Sequence, residues 1–407
     1  MPFRVWLRVS IFRDSKSAAE FGISHEKEVQ MKKPAVIAVL MLIACFTLLA
    51  CGGSNSGNST GGGGGSSTGT PVYVSNSSSP SVSFYLLDQT SGTLQRGSGS
   101  PVLTGGSSPD SLAFDPAKKF LLVSNASSST LSVFSVNSTT AALTPVSGSP
   151  FAAGANAARL IVHPRGNFVY GLSSTPAEIL AYSFNSTTGS LASVAGFPLS
   201  LSTSGQSGLA ISPNGQFLYT SNPNTNFITG FSIGTDGTLT QLAATTSPSK
   251  GSPVFLTFDS SGLFLFAVNA GGNLGGPSVS TFSISATGAL TEVAGSPTTV
   301  GTAPISAVFV QGFLYVLNQT SGMISAFALS SSTGQLTELK SSPFNVGAHP
   351  VSLATAALGK FLIVTATGTS ASGTIAVFSI AADGTLSQVA GSPFPPDTAA
   401  PDQVLAF

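Results

Sequence analysis

The sequence predicts an all-β fold, a seven-bladed β-propeller with four antiparallel strands per blade, and two repeating anchor residues indicate it. A phenylalanine recurs every 47 to 49 residues, at Phe120, Phe168, Phe217, Phe264, Phe313 and Phe361. A leucine recurs with a similar spacing, mostly just after a glycine-containing turn, at Leu94, Leu143, Leu191, Leu239, Leu290, Leu336 and Leu386. Seven copies of the leucine mean seven repeats, and this period is typical of propeller blades.

Each repeat has the pattern of four short strands. In the second repeat, runs that alternate apolar and polar residues cover about 110–114, 119–124, 130–136 and 142–146, and Gly, Pro, Asn and Ser separate them. Such alternation between turn residues indicates strands. No window has a convincing helical period, so we expect essentially no helix in the repeats.

The ends of the repeat region predict how the ring closes. The first repeat begins at 71–76, which matches the second strand of a blade, so its first strand is missing. The chain stops at 401–407, which resembles the first strand of the second repeat, 109–114, with one extra residue that leaves the register open by one. We expect this last strand to pair into the first blade, because the pairing leaves no open ring edge.

The composition excludes several classes of protein. Only 7% of the 407 residues are charged, against roughly a quarter in an ordinary domain, which excludes a solvated coiled coil. The absence of basic runs argues against a nucleic-acid binder. The mean hydropathy of +0.36 is high, but the apolar residues lie in short runs, which argues against a polytopic membrane protein.

The N-terminal 70 residues predict export and lipid anchoring. Residues 31–50 combine a basic start, an uncharged apolar stretch and small residues at the cleavage site, as in a signal peptide. Residues 48–51 resemble the bacterial lipobox, which implies lipid attachment at Cys51 and an extracytoplasmic protein anchored to the bacterial cell envelope. We interpret 1–30 as an upstream mis-start, 51–70 as a Gly/Ser-rich tether and 71–407 as the propeller. A short transmembrane anchor is the alternative, although the apolar run is shorter than the ~20 residues that a bilayer needs.

Three segments resemble the lactonase propeller family, relatives of the bacterial 6-phosphogluconolactonase, and the related YVTN repeats. They are Ser-Pro-Asn-Gly-Gln-Phe-Leu-Tyr-Thr-Ser-Asn at 212–222, Thr-Leu-Ser-Val-Phe-Ser-Val at 130–136 and Thr-Thr-Gly-Ser-Leu at 187–191. The resemblance implies a seven-bladed propeller with a lactone-hydrolysing site built from Arg, His and Glu. A typical family pattern there is Gly-Pro-Arg-His-Leu-x-Phe-His-Pro, and in the matching segment 156–164 Ala158 stands where the family has Arg and Arg159 where it has His. Most of the other charged family positions are also replaced.

The repeat places a few polar residues at one mouth of the central channel, on loops before first strands and on first strands. They are Asp110, Arg159, Gln206, Lys250, His349 and Asp402. Lactone hydrolysis needs a base and a donor for the developing oxyanion, so we assign His349 as the candidate base and Arg159 as its oxyanion partner. Asp110, Gln206, Lys250 and Asp402 are candidate ligand-binding residues. His163 falls in a turn at the opposite end of the channel, where we expect it to be solvated. Two separated histidines provide no metal site, and we expect no cofactor.

These observations favour a binding or scaffold module at the envelope over an enzyme, because most of the charged family residues are absent. The alternative is a lactone hydrolase, similar to 6-phosphogluconolactonase, that acts on a sugar-derived lactone. We expect a monomer that meets the membrane only through its lipid anchor and binds no nucleic acid. Its ligand would be a carbohydrate, a lactone or a protein.

Overall fold

The computed structural model describes residues 69–243, 251–272, 275–368, 373–398 and 400–407. The predicted signal peptide, Cys51, nearly all of the predicted tether and Lys250 lie outside these residues. The described residues form seven antiparallel sheets and no helix, so the predicted fold is confirmed. Nor does this part of the chain contain a helical segment that could span a membrane.

The sheets follow one another along the chain as blades 1 to 7. Blade 1 contains β1 (Thr70–Asn76), β2 (Ser81–Leu87), β3 (Leu94–Arg96) and β4 (Val102–Leu103). Blade 2 contains β5 (Pro109–Phe114), β6 (Phe120–Asn125), β7 (Thr130–Val136), β8 (Leu143–Pro145) and β9 (Phe151–Ala152). Blade 3 contains β10 (Arg159–Val162), β11 (Phe168–Ser174), β12 (Ala177–Phe184), β13 (Leu191–Ser193) and β14 (Leu199–Ser200).

The remaining blades repeat this order from the channel outward. Blade 4 contains β15 (Gly208–Ile211), β16 (Phe217–Asn222), β17 (Phe227–Ile233) and β18 (Leu239–Gln241). Blade 5 contains β19 (Pro253–Phe258), β20 (Phe264–Asn269), β21 (Ser278–Ile284), β22 (Leu290–Glu292) and β23 (Thr298–Thr299). Blade 6 contains β24 (Pro304–Val310), β25 (Phe313–Asn318), β26 (Met323–Leu329), β27 (Leu336–Glu338) and β28 (Phe344–Asn345). Blade 7 contains β29 (Pro350–Ala356), β30 (Phe361–Ala366), β31 (Thr374–Ile380) and β32 (Leu386–Gln388), and β33 (Pro401–Ala406) ends the chain.

The outer edge of the blades is more elaborate than four simple strands. In five blades the outer edge consists of two short strands instead of one. The two pair with different halves of the third strand, as β3 and β4 do with β2. In four of these blades a serine lies between the two short strands, and its Oγ accepts a hydrogen bond from a third-strand backbone N–H. These serines are Ser100, Ser149, Ser296 and Ser342 in blades 1, 2, 5 and 6, and Ser392 makes the same bond in blade 7, which has four strands; the distances are 2.8 to 3.1 Å. Each one satisfies a strand donor that would otherwise lack a partner.

The two anchors of the repeat are close to each other across the blade boundaries. In blades 2 to 7 the phenylalanine that opens the second strand lies against the glycine of the 3–4 turn in the next blade. A Cβ on that glycine would lie 2.4 to 2.7 Å from the nearest ring atom, in the pairs Phe120–Gly189, Phe168–Gly237, Phe217–Gly288, Phe264–Gly334, Phe313–Gly384 and Phe361–Gly92. The period read from the sequence is therefore the period of blade-to-blade packing. Third-strand aromatic side chains fill the blades as predicted, with Phe134, Tyr182, Phe231, Phe282, Phe327 and Phe378 all buried.

Replacing Gly237 with alanine tests this packing. Its φ is +85°, and the new Cβ would lie 2.5 Å from the Phe168 ring. Gly196 has the same φ of +85° but no heavy atom within 4 Å of its Cβ position, so Gly196→Ala carries the backbone strain alone. We expect Gly237→Ala to lower the free energy of unfolding by about 1–3 kcal/mol more than Gly196→Ala, since overpacking costs that much. Urea denaturation of both variants measures the difference, and equal losses would contradict the packing.

The last strand closes the ring as predicted. β33 pairs antiparallel with β1, with Val72 opposite Ala406 and Val74 opposite Val404, and it supplies the missing inner strand of blade 1. This register settles the position of the extra residue, since Phe407 lies one place beyond the strand. The closing strand also bonds to its neighbours on both sides: the backbone N–H of Val404 donates to Ser352 Oγ of blade 7 at 3.2 Å, and the Gln403 side chain accepts from the backbone N–H of Leu112 in blade 2.

An ion pair with a buried carboxylate and an exposed arginine holds the segment that leads into β33. The Asp397 side chain is 4% exposed, and its Oδ1 lies 2.7 Å from Nε of Arg96 on β3. Ser100 Oγ donates to the same carboxylate, and the Asp397 backbone N–H donates to the Tyr85 hydroxyl at 2.8 Å. The connection from blade 7 therefore crosses blade 1 and is fixed to its outer strands before it turns inward.

Candidate functional site at the channel mouth

The N-terminal ends of the seven inner strands form one mouth of the channel, called the mouth here. In blades 1, 2, 5, 6 and 7 the inner strand begins with a proline, and a β-bulge follows it immediately. A bulge re-aims the side chains beside it and is over-represented next to functional sites. The residues just after these prolines are Asp402, Asp110, Val254, Ile305 and Val351.

Three predicted site residues, Asp110, Arg159 and Asp402, come together at the mouth and are called the mouth cluster. They belong to three successive inner strands, β33, β5 and β10, and each is half-buried. The pKa of Asp402 is raised to about 6, mainly by burial and to a smaller extent by the negative charge of Asp110, while the positive charge of Arg159 lowers it. Burial also raises the pKa of Asp110, again opposed by Arg159. The cluster thus holds two carboxyl groups with reduced acidity beside one permanent positive charge.

Arg159 extends across the channel toward blade 5. Its guanidinium carbon lies 6.0 Å from the centre of the Phe255 ring, at the outer range of a cation–π contact. Arg159, Gly208 and Phe255 occupy equivalent positions on the inner strands of blades 3, 4 and 5. Each of them pairs with the fifth residue of the second strand of its own blade. Gly208 has no side chain, and a Cβ there would lie 2.4 Å from Ser221 Oγ and 3.0 Å from Leu256, so blade 4 contributes only backbone at this position.

The backbone of Asp402 is fixed independently of its charge. Thr365 Oγ1, on the second strand of blade 7, donates to the Asp402 carbonyl oxygen at 2.6 Å. On the next strand of the ring, Ser111 Oγ accepts from the backbone N–H of Leu160 at 3.0 Å. These bonds hold the inner strands in register, so the mouth cluster rests on a rigid scaffold.

His349 lies at the same mouth but apart from the cluster. Its side chain is exposed, its φ is 51°, and its carbonyl oxygen accepts from the backbone N–H of Thr367 at 3.1 Å. The equivalent residues before the other prolines, Ser108, Ser252, Ala303 and Ala400, also have positive φ. Among the described residues, no hydrogen bond or ring contact joins His349 to Arg159. A positive φ is therefore common to this position in five blades, whatever the side chain. The catalytic pairing of His349 with Arg159 stays a prediction.

Gln206 lies at the mouth side of blade 4 and is nearly buried. Its Nε2 donates to the carbonyl oxygen of Thr203 at 3.2 Å, which holds the loop that leads into β15. It also lines a cavity of about 210 Å³ between that loop and the third strand of blade 4. The structure therefore places Gln206 in a loop-supporting position away from the mouth cluster.

The expectation that His163 is solvated is wrong. Its side chain is 4% exposed, Nε2 donates to the Gly215 carbonyl oxygen at 2.9 Å, and Nδ1 accepts from the backbone N–H of Arg165 at 3.1 Å. The equivalent residue in blade 2, Asp115, also accepts from backbone N–H groups of its turn. His163 therefore combines a turn-capping role with a bond to the next blade, and the alignment of the repeats already contained that signal.

The raised pKa of Asp402 predicts a pH-dependent stability. The folded state disfavours the ionised form of Asp402. The contribution of Asp402 to the free energy of unfolding therefore falls as pH rises from the ordinary pKa of 3.8 through about 6, and it is constant above that pH. Asp402→Asn lacks this penalty, so we expect its Tm to exceed that of the native chain at pH 7.5 and to match it near pH 4. Thermal unfolding at both pH values measures this.

Asp236 supplies a control of opposite sign. Hydrogen bonds from the Thr238 side chain and backbone lower the pKa of this exposed turn carboxyl, so its ionised form is favoured in the fold. Its contribution to stability is present at neutral pH and lost as pH falls. Asp236→Asn should therefore lower the Tm at pH 7.5, and this loss should fade only as pH falls below the ordinary value of 3.8. A shift of the same sign in both variants at pH 7.5 would contradict the assignment of Asp402.

The part of the chain that the structure describes contains no group of three or more His, Cys, Asp and Glu side chains that could hold a metal ion. The groups that the structure brings together at the mouth are two carboxyl groups, a guanidinium group and an aromatic ring. Sequence reasoning missed Phe255, although its position in the repeat, two residues after Pro253, already placed it at the mouth.

Comparisons with known proteins agree with this architecture. The family model for "Lactonase, 7-bladed beta-propeller" matches residues 64–158, 149–298 and 272–397. No curated protein matches the chain. A Bacteroides uniformis structure, provisionally assigned as a 6-phosphogluconolactonase, has 17% identity and a TM-score of 0.68, with 84% of this chain and 100% of that chain covered. The periplasmic gluconolactonase of Pseudomonas aeruginosa has 18% identity and a TM-score of 0.66, with 83% and 99% covered. At such identities the two structures share the fold, while the family match spans most of the repeats: this chain belongs to the lactonase family of seven-bladed β-propellers.

Proposed function

We propose that this protein is a cell-envelope propeller that binds a small polar ligand at the mouth, through Asp110, Arg159 and Asp402. The observation that carries the proposal is the meeting of these three charges, from three different blades, at one end of the channel. Few charged residues exist in this chain, and a propeller needs none of them at this position for packing. Half-buried charges that perturb one another's pKa values are frequent at functional sites.

We prefer binding to catalysis because small residues replace the charged residues of the family pattern. Ala158 stands where the family pattern has Arg, and Ser207 and Gly208 stand where a later blade of the family has Ala-Glu. The small residues leave room for a ligand but supply no further acid or base.

A ligand screen tests the binding function. The purified chain is heated with monosaccharides, aldonolactones and acyl-homoserine lactones, and binding raises the Tm. We expect at least one compound to stabilise the native chain and to lose its effect in the double variant Asp110→Asn, Asp402→Asn. A compound that stabilises both proteins equally would locate its site elsewhere and contradict the proposal.

Lactone hydrolysis is the second candidate, and the raised pKa of Asp402 favours it. A carboxylate with a pKa of about 6 is a stronger base than an ordinary aspartate. Asp402 would take a proton from the water that attacks the lactone carbonyl, while Arg159 stabilises the oxyanion. The ring C–O bond of the carbonyl carbon then breaks, and the leaving oxygen takes the proton back from Asp402. Turnover of a lactone panel, followed by pH indicator, should then be lost in Asp402→Asn. Loss in His349→Ala instead would assign the base to His349.

Anchoring at the envelope is part of the proposal, and Cys51 carries it. The first described strand begins at Thr70, so 18 residues separate Cys51 from it, all of them Gly, Ser, Asn or Thr. We expect the native chain in the membrane fraction of a bacterial host and Cys51→Ser in the soluble fraction. Equal membrane association of both would contradict lipid attachment at Cys51.

A further inference from the structure

The mouth has a charged side and an apolar side. The residues just after the strand-opening position are Asp402 and Asp110 in blades 1 and 2, but Val254, Ile305 and Val351 in blades 5, 6 and 7. All five occupy the same place in the bulged start of an inner strand. The difference therefore comes from the side chains and not from the backbone.

The apolar residues of blades 5 to 7 remain partly open at the mouth. Val254, Ile305 and Val351 are half-buried, whereas Leu256 and Leu353, two places further along their strands, are 2% and 9% exposed. Phe255 adds a half-buried ring on the same side, within cation–π range of Arg159. Apolar surface at the entrance of a channel, opposite a few convergent polar groups, is typical of a small-molecule site.

The charges of the mouth cluster disfavour an anionic ligand. A phosphate group would bring close to two negative charges beside Asp110 and Asp402, and Arg159 already interacts with both carboxyl groups. Like charges at short range are costly in a half-buried site. Uncharged hydroxyl groups can instead donate to the carboxylates and accept from the guanidinium.

We infer that the mouth selects an uncharged, hydroxyl-bearing ligand that carries an alkyl or aryl substituent, and that it discriminates against phosphorylated sugars. The hydroxyl groups lie against the mouth cluster, and the substituent lies against Phe255 and the aliphatic residues of blades 6 and 7. This inference rests on the proposed function and names its ligand class.

Calorimetric titration of the full chain with three probes tests the inference. The probes are D-glucose, phenyl β-D-glucoside and D-glucose 6-phosphate, which share one ring and differ in substituent and charge. Burial of the phenyl ring should strengthen binding about tenfold over glucose, and the phosphate should weaken it below glucose. Phe255→Ala and Val351→Ser should each reduce the ratio of the affinity for phenyl glucoside to the affinity for glucose.

Leu263→Ser is the matched control, because Leu263 is an exposed leucine of blade 5 in the turn after the inner strand, at the opposite end of the channel. It should leave all three affinities unchanged. Equal affinity for glucose and phenyl glucoside, or tighter binding of glucose 6-phosphate, would overturn the inferred selectivity while the proposed site stands. Probe binding that survives Asp110→Asn together with Asp402→Asn, or no binding of any probe, would overturn the inference together with its assignment to the mouth cluster.

Discussion

Deletion of residues 398–407 is expected to abolish the cooperative unfolding transition. The deletion removes β33, which is the inner strand of blade 1, and leaves β1 as an open edge in the centre of the ring. The lost contacts include the buried Val404 and its backbone bond to Ser352 of blade 7. Circular dichroism during heating measures the result.

The closing strand has a large effect because it connects three blades. It pairs with β1, bonds to Ser352 of blade 7 and accepts from Leu112 of blade 2. Unpaired inner strands also expose a row of backbone donors and acceptors that template aggregation. A matched deletion of ten residues from the tether, 52–61, should leave the transition unchanged. A normal transition in the chain that lacks 398–407 would contradict the closure.

Arg159→Ala is expected to weaken binding of the ligand found in the screen by roughly 10- to 100-fold, since a hydrogen bond to a charged group contributes about 1.5–3 kcal/mol. The substitution removes the positive charge of the mouth cluster and leaves two carboxyl groups without a counter-charge. If the ligand is hydrolysed, kcat should fall as well, because the oxyanion loses its partner. Equilibrium titration and initial rates measure both effects.

Arg165 provides the control for Arg159. It is an exposed arginine of the same blade, in the turn after β10 and therefore at the other end of the channel, and only its backbone N–H bonds to His163. Arg165→Ala should retain native affinity with an unchanged Tm. If both variants bind as the native chain does, Arg159 has no part in the site.

The fold was predictable because the residues that recur in the sequence repeat are residues that contact the neighbouring blade. Phe168 and Gly237 stand far apart in the sequence but touch across a blade boundary, and the same contact recurs at six of the seven boundaries. The outer edge was less predictable, since strands of two or three residues have no measurable period. The role of Ser100 as an acceptor for the third strand follows from tertiary contacts that no local pattern contains.

The sequence predicted which residues lie at the mouth but not which of them lie close to one another. Asp402 and Asp110 occupy equivalent positions in the first-strand motif, yet only the closure of the ring places them on neighbouring strands. Their perturbed pKa values depend on burial and on Arg159, neither of which the sequence specifies. His349 was an attractive base by residue type, and its exposure became known only from the structure.

The most direct test of the mouth cluster is the pKa of the Asp402 carboxyl, measured by carbon-13 NMR in the native chain, in Asp110→Asn and in Arg159→Ala. We predict a value near 6 in the native chain, a lower value in Asp110→Asn because a like charge is removed, and a higher value in Arg159→Ala because an opposite charge is removed. A native pKa close to the ordinary 3.8 that neither substitution changes would contradict the mouth cluster as one electrostatic site.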